Sequence, residues 1–288
     1  MKLGEKIKAL RTAKLMTQSE LAGNEITRNM LSRIENGAAQ PSLDTLRYIA
    51  AKLSVSPGFL LAEGGDERIY VKHNEMNGIK TTYLSGDYRI CRDMCKNSAS
   101  ADDDEVKLIL AECTLGIAIE EFCAGNLREA CEYFDKAIEA CSETVYDTGH
   151  IFSTCAMYFK YMREISATLL SNQIDESEVH VWSSLGDSFC AYSAAFLSFD
   201  DDNRLPIALV RGGIYDLHIE AKSYMKDGKY TAAYECLHNI LVSDAAVPAP
   251  VMYFVFCDLE ICCKEINDFK GAYEYSNSKL ALMQKLLS

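Results

Sequence analysis

From Leu3 to Leu61 apolar residues recur at intervals of three and four, broken by short polar segments, several of which place a Ser or Thr where a helix would begin. That pattern predicts five short helices. Leu3, Ile7 and Leu10 share one face of the first, which runs to about Lys14. Thr17-x-x-Glu20 has the spacing of a capping box ahead of Leu21 and Ala22. Thr27 caps a third helix with Met30, Leu31 and Ile34 inward, stopped at Asn36-Gly37. Ser42 opens a fourth, with Leu43, Leu46, Ile49, Ala50 and Leu53 inward. Ser56-Pro57 places an N-cap before a proline at the first helical position, opening a fifth that ends at Leu61.

Residues 63–67 carry two glycines between acidic residues and are expected to be a joint between residues 1–62 and residues 68–288. Beyond the joint the pattern stays helical, with almost no alternating strand signal and only Pro206, Pro248 and Pro250 to interrupt it. A turn motif recurs there: GDYRIC from Gly86, GNLREA from Gly125, GKYTAA from Gly228 and NDFKGA from Asn267, at spacings of 39, 103 and 39 residues. Ala118, Ala130, Phe134 and Ala137 flank the second turn, and Ala221 and Ala233 the third. Small residues let paired helices approach, and glycine permits the tight turn. Between Tyr146 and Gly213 no repeat register can be placed.

Charge changes the picture of what the two parts meet. The 288 residues carry a net −13, yet residues 1–62 hold nine Lys/Arg against five Asp/Glu, net +4, while the remainder holds 20 against 37, net −17. A basic head on an acidic body is the asymmetry expected when only the head meets phosphate. No apolar run reaches the roughly 18 residues of a membrane span. MKLGEKIKAL lacks the apolar core of a signal peptide, so a cytoplasmic protein is expected.

The twelve cysteines show no Cys-x-x-Cys spacing and most lie in apolar helical stretches, as reduced core thiols do. Cys91 with Cys95, and Cys262 with Cys263, are the pairs to test for redox chemistry. The five histidines lack metal-ligand spacing, and the acidic runs at 102–105 and 200–202 lack the Gly and Glu positions of a calcium loop. Phosphate-loop and dinucleotide fingerprints are missing. No cofactor, no metal and no catalytic constellation is expected; the chain does not read as an enzyme.

On the third helix Arg28, Asn29, Ser32 and Arg33 fall along one exposed face, with the donor geometry needed to read base edges. The segments LGEKIKALR, TQSELA, the ENG closing the third helix and PSLDTLRYIAAKLSVSPGFLL agree in order and spacing with the phage repressor/Cro-type (Xre) helix-turn-helix family, which residues 2–62 resemble over nearly a whole domain. The resemblance implies that the third helix lies in the major groove of double-stranded DNA. Arg28 and Arg33 would then address guanine, Asn29 adenine and Ser32 either base. Gln18 and Asn36 would clamp phosphates, Thr17 and Thr27 complete the contact set at the two helix starts, and Arg47 is a further phosphate candidate. It also implies a structural ion pair between Arg11 and Glu35. The turn from Gly23 to Ile26 is a residue shorter than in many phage repressors, which puts the tilt of the third helix in question.

Residues 68–288 resemble a degenerate tetratricopeptide array of five or six helix pairs, so the expected fold is all-α, a five-helix domain followed by an α-solenoid. The resemblance implies a concave groove lined from the first helix of each pair: Leu115, Ile119 and Phe122; Tyr215, His218, Lys222 and Met225; Phe254, Ile261 and Lys264. Phe122, Tyr215, His218, Lys222 and Met225 are the peptide-binding candidates. The combination resembles the RRNPP group of peptide-responsive regulators. It implies a homodimer on an inverted-repeat operator whose affinity changes when a short signalling peptide enters the groove. A constitutive dimeric repressor, or an adaptor whose helical body binds another protein, remains as the alternative.

Overall fold

The computed structural model describes residues 1–166, 188–199 and 213–288, which form helices and connecting turns. They divide into two compact units. One comprises Met1–Thr81 with Asn97–Ala101, the other Thr82–Lys96 with Asp102–Ser288. The first holds α1 (Leu3–Ala13), α2 (Gln18–Ala22), α3 (Arg28–Glu35), α4 (Leu43–Leu53), α5 (Pro57–Leu61) and most of α6 (Gly65–Leu84).

Capping sets the starts of these short helices. The hydroxyls of Thr17, Thr27, Ser42 and Ser56 accept from the amides of Glu20, Met30, Thr45 and Phe59 at 3.0–3.2 Å. Glu20 closes the capping box by accepting from the Thr17 amide at 2.6 Å. Ile7, Leu21, Leu31, Ile34, Leu46, Ile49, Ala50, Leu53 and Leu60 make the core. Leu43, expected inward, is 66% exposed. Helical side chains lean toward the N-terminus, so at the first position of α4 it extends past the packed turns.

Two features lock this core. Gly4 lies so close to the end of α3 that a Cβ there would stand 2.3 Å from the Ile34 carbonyl oxygen and 2.6 Å from that of Glu35. Lys6, although buried, donates to the carbonyls of Phe59 (3.2 Å) and Ala62. Its charge thereby meets the negative end of α5.

The second unit holds α7 (Tyr88–Asn97), α8 (Asp104–Ala124), α9 (Leu127–Cys141), α10 (Gly149–Ile165), α11 (Ser188–Leu197), α12 (Gly213–Lys226), α13 (Tyr230–Val242), α14 (Ala249–Glu265) and α15 (Phe269–Leu287). All four recurrent turn motifs lie between consecutive helices, with positive φ at Gly86 (+81°), Gly125 (+90°), Gly228 (+73°) and Asn267 (+61°). Glycine takes that conformation without cost, and asparagine is the residue that tolerates it best among the rest. Ala118, Ala130, Ala137, Ala221 and Ala233 are buried where α8 meets α9 and α12 meets α13.

The final pair packs back on the earlier one. A Cβ at Gly125 would stand 3.0 Å from Ala249 Cβ and 3.1 Å from Leu286 Cδ2, and Lys285 donates to the Ala124 carbonyl at 3.1 Å. Inside, aromatic rings from α8, α10, α11, α12 and α14 converge: Phe122 on Tyr158 (4.8 Å between centroids), Tyr161 on Phe254 (5.3 Å) and Tyr192 on Tyr215 (4.8 Å).

The cysteines of the described residues are free thiols. Burial pushes Cys95 and Cys262 up to about 12 and Cys113 higher still. Burial of all four side chains makes the Cys91/Cys95 and Cys262/Cys263 pairs read as core packing. Asp103, in the first acidic run, caps α8 by accepting from the Glu105 amide at 3.0 Å. The run at 200–202 and the single tryptophan, Trp182, fall outside the described residues. Among the described residues no helix is long and apolar enough to cross a membrane, and no group of three His, Cys, Asp or Glu side chains is placed to hold a metal.

Candidate nucleic-acid interface

The third helix is presented by a built support. At 100° per residue, Leu31, Ile34 and Glu35 share one arc of α3 and are buried, while Arg28, Asn29 and Arg33 occupy the adjoining arc and are exposed, Arg28 beside Glu35 at the open first turn. Ser32, between Arg28 and Asn29 on that arc, is half-buried, and Asn36, just past the helix, is exposed. Thr17 and Thr27 are exposed as well, their hydroxyls engaged as caps for α2 and α3. The structure thus brings Arg28, Asn29, Ser32, Arg33 and Asn36 onto one polar surface whose cations meet no carboxylate at ion-pairing distance among the described residues. Arg47, on α4, is exposed too.

Behind α3 stands a charge cluster that fixes its C-terminal turn. Arg11 on α1 grips Glu35 with two hydrogen bonds, Nε to Oε1 at 2.7 Å and Nη2 to Oε2 at 3.1 Å. Its remaining Nη1 donates to the Met16 carbonyl at 2.8 Å. The Gln18 amide, at the start of α2, donates to the same Oε2 at 2.8 Å. Burial opposes the charge on Glu35, but the Arg11 and Gln18 hydrogen bonds and the charges of Arg11 and Lys8 outweigh it, holding the carboxyl below its ordinary value. Arg11 is raised in turn by its bond to Glu35. One carboxylate therefore joins α1, α2 and α3.

Gln18 consequently has a role that its sequence position alone did not reveal. Its amide nitrogen is turned onto Glu35 and the side chain is half-buried, so part of its hydrogen-bonding capacity is spent inside the domain. Tyr48 was missed altogether. Its hydroxyl donates to the Ala22 carbonyl at 3.1 Å and lies where a Cβ on Gly23 (φ +54°) would stand 2.3 Å away. That glycine–tyrosine fit sets the path of the turn into α3, and the only signal for it in the sequence was a glycine following α2.

In the second unit, the peptide-binding candidates separate by burial. Phe122 and His218 are fully buried, whereas Tyr215, Lys222 and Met225 are half-buried. His218 belongs to a chain of polar groups crossing the core. Tyr161 and Tyr192 hydroxyls are 3.1 Å apart, Tyr192 lies 2.8 Å from His218 Nδ1, and His218 Nε2 donates to Asp258 at 3.0 Å. Lys222 donates to the same carboxylate at 3.4 Å and stands 5.0 Å over the Phe196 ring. Burial would raise Asp258, but the bonds and charges of His218 and Lys222 hold it below its ordinary value. Leu115 is buried, Ile119 and Phe254 half-buried, and Ile261 and Lys264 exposed.

Residues 7–60 match the helix-turn-helix family model, so the N-terminal unit contains a domain of that type. No curated protein matches the chain. Among solved structures, similarity is found to PlcR of Bacillus thuringiensis in complex with the peptide PapR7 and DNA (16% identity, 99% of this chain and 96% of that one, TM-score 0.23). ComR of Streptococcus thermophilus in complex with DNA and its signalling peptide ComS is similar at 16% identity, 97% and 99% coverage and TM-score 0.25. The pheromone receptor Rgg2 of Streptococcus dysgalactiae is similar at 12%, 97% and 99%, and 0.21.

Proposed function

We propose that the chain is a sequence-specific DNA-binding transcriptional regulator whose acidic helical body governs its N-terminal head. The observation that carries this reading is the exposed surface of Arg28, Asn29, Ser32, Arg33 and Asn36 on a helix anchored from behind by Glu35, in a unit matching the helix-turn-helix model. Arginine forks suit guanine and asparagine suits adenine in the major groove. Thr17, Gln18 and Thr27, at the N-termini of α2 and α3, supply phosphate contacts from side chain and backbone. With net +4 on residues 1–62 against −17 on the rest, the head alone is suited to meet DNA.

The body is read as a sensor and dimerisation module for a short peptide, with Tyr215, Lys222 and Met225 as contact residues and Phe122 and His218 shaping the site from within. The half-buried Lys222, held over an aromatic ring, supports an anionic group on that peptide. A second reading is favoured by the aromatic core. Rings from α8, α10, α11, α12 and α14 pack on one another and leave Phe122 and His218 fully buried, which favours a constitutive scaffold over a groove that a peptide lines.

Selection of DNA sites by the full-length protein tests the proposal, with the Arg28→Ala/Arg33→Ala variant alongside. An enriched inverted repeat that the variant loses is the expected result, and each single substitution should cost about 1–3 kcal/mol on that site and little on random DNA. Equal losses on both would make these arginines phosphate clamps, and no enrichment either with or without the small-peptide fraction would refute sequence-specific binding. Repeating the binding assay with a small-peptide fraction of the culture separates the readings: a changed operator affinity supports the sensor, an unchanged one the scaffold.

A further inference from the structure

Among the described residues of the acidic body, a concentration of positive charge lies outside the DNA-recognition surface. Arg89, Arg92 and Lys96 recur along one face of α7, and Lys136 approaches from α9. Three of the four surround a single ring: Lys136 Nζ lies 4.9 Å from the Tyr133 centroid, and the Arg92 and Arg89 guanidinium carbons 5.7 and 5.8 Å away. A groove of about 270 Å³ opens beside them, lined by Arg92, Lys96, Tyr133 and Lys136, with Glu139 and Glu143 also on its wall.

Most of this charge is poorly spent within the protein. Arg89 is paired with Glu121. Arg92, by contrast, donates to the Tyr133 hydroxyl at 3.3 Å and to Asp93 at 3.4 Å, both long, and its buried Nε has no acceptor. A buried donor left without an acceptor is unfavourable. Lys136 meets Glu132 only at 3.5 Å, and Lys96 makes no ion pair among the described residues. Placing like charges together with so few close acceptors is unfavourable unless something anionic joins them.

We propose that this groove is a binding site for a small oxyanion of the phosphate class, held by Arg92, Lys96 and Lys136 against Tyr133. The guanidinium fork of Arg92 offers the bidentate geometry that phosphate oxygens accept, and the lysines add point charges from two different helices. Donors arriving from several directions match a tetrahedral anion better than the two coplanar oxygens of a carboxylate. Glu139 and Glu143 limit the net charge of the lining to +1, which suits one small oxyanion group better than a polyanionic strand. The same positive field acts on Tyr133, whose hydroxyl is held below its ordinary value first by the Arg92 hydrogen bond.

Isothermal titration of full-length protein with sodium phosphate, at ionic strength matched by sodium chloride, tests the site. A saturable heat is expected in the wild type. Arg92→Gln and Lys136→Gln should each weaken it at least about tenfold, the loss expected for one charge-assisted hydrogen bond. Lys229→Gln, an exposed lysine in the turn before α13, should leave it unchanged. Tyr133→Phe keeps the ring and frees Nη1 of Arg92, so binding should be retained. Lys136 is exposed, so its variant decides the matter if Arg92→Gln loses helical circular dichroism. No saturable heat in the wild type, or equal binding by Lys136→Gln, would overturn the site; acetate binding as tightly as phosphate would overturn its class.

Discussion

Replacing Glu35 by glutamine removes one charge from the cluster that joins α1, α2 and α3 while preserving the size of the side chain. In the wild type the carboxylate accepts three hydrogen bonds, two from Arg11 and one from Gln18. The Glu35 side chain is 1% exposed and that of Arg11 13%, so the arginine would be left with little solvent to replace its partner. Stranding one member of a buried pair costs about 3–5 kcal/mol. Arg11 keeps its bond to the Met16 carbonyl and glutamine keeps one acceptor oxygen, which brings the expected loss to about 2–3 kcal/mol. Hydrogen exchange of the full-length protein reads this locally: amides of α1 and α3 should exchange roughly 30- to 150-fold faster, at about 1.4 kcal/mol per factor of ten. The double variant Arg11→Met/Glu35→Leu should recover much of that protection, because it removes both charges together. Acid gives an independent check. Since Glu35 titrates below its ordinary 4.5 in the folded state, its contribution is complete above that value and is lost as pH falls through the lowered one. The wild-type head should therefore lose protection in acid that Glu35→Gln never had. Exchange rates in Glu35→Gln within about twofold of wild type, a difference under 0.5 kcal/mol, would refute the cluster as the anchor of α3.

Three further perturbations probe other joints. Gly4→Ala drives a methyl into the backbone carbonyls of Ile34 and Glu35, which cannot swing aside, so urea denaturation should show the head destabilised by about 1–3 kcal/mol. Asn267→Ala should destabilise the body by about 1 kcal/mol in the same experiment, whereas Asn267→Gly should not, because only the former is strained at φ +61°. Asp258→Ala strands His218 and Lys222 and should cost about 3–5 kcal/mol in body stability measured by circular dichroism. A loss below 1 kcal/mol there would mean the polar chain through the core is not holding α12 to α14.

Much of this molecule follows from short-range rules that a sequence displays. Helix starts at Thr17, Thr27, Ser42 and Ser56 need only a hydroxyl three residues before an amide, and the structure has all four. The turns at Gly86, Gly125, Gly228 and Asn267 need only a residue that accepts positive φ, so a local motif marks them however far apart they lie. The polar face of α3 is equally local, being fixed by 100° steps once Leu31 and Ile34 point inward. What the sequence by itself determined, then, is the helical elements, their caps and turns, and which face of α3 is polar.

Contacts between residues far apart in the chain were decided only by tertiary structure. Gln18 offered only a phosphate contact until folding placed Glu35 within 2.8 Å of its amide and added a structural bond to it. Phe122 and His218 fit the periodicity of a groove lining, yet convergence of α8, α10, α11, α12 and α14 buries them, because periodicity reports which face is apolar and not what covers it. Leu43 erred the other way: its spacing matched the core stripe, but it stands at the first position of α4 and is left 66% exposed. The cations around Tyr133 come from α7 and α9, separated by about 40 residues, and no periodicity along either helix could bring them to one ring. Spacing along a chain fixes direction around one helix axis; which partner stands in that direction is settled by the packing of the whole core.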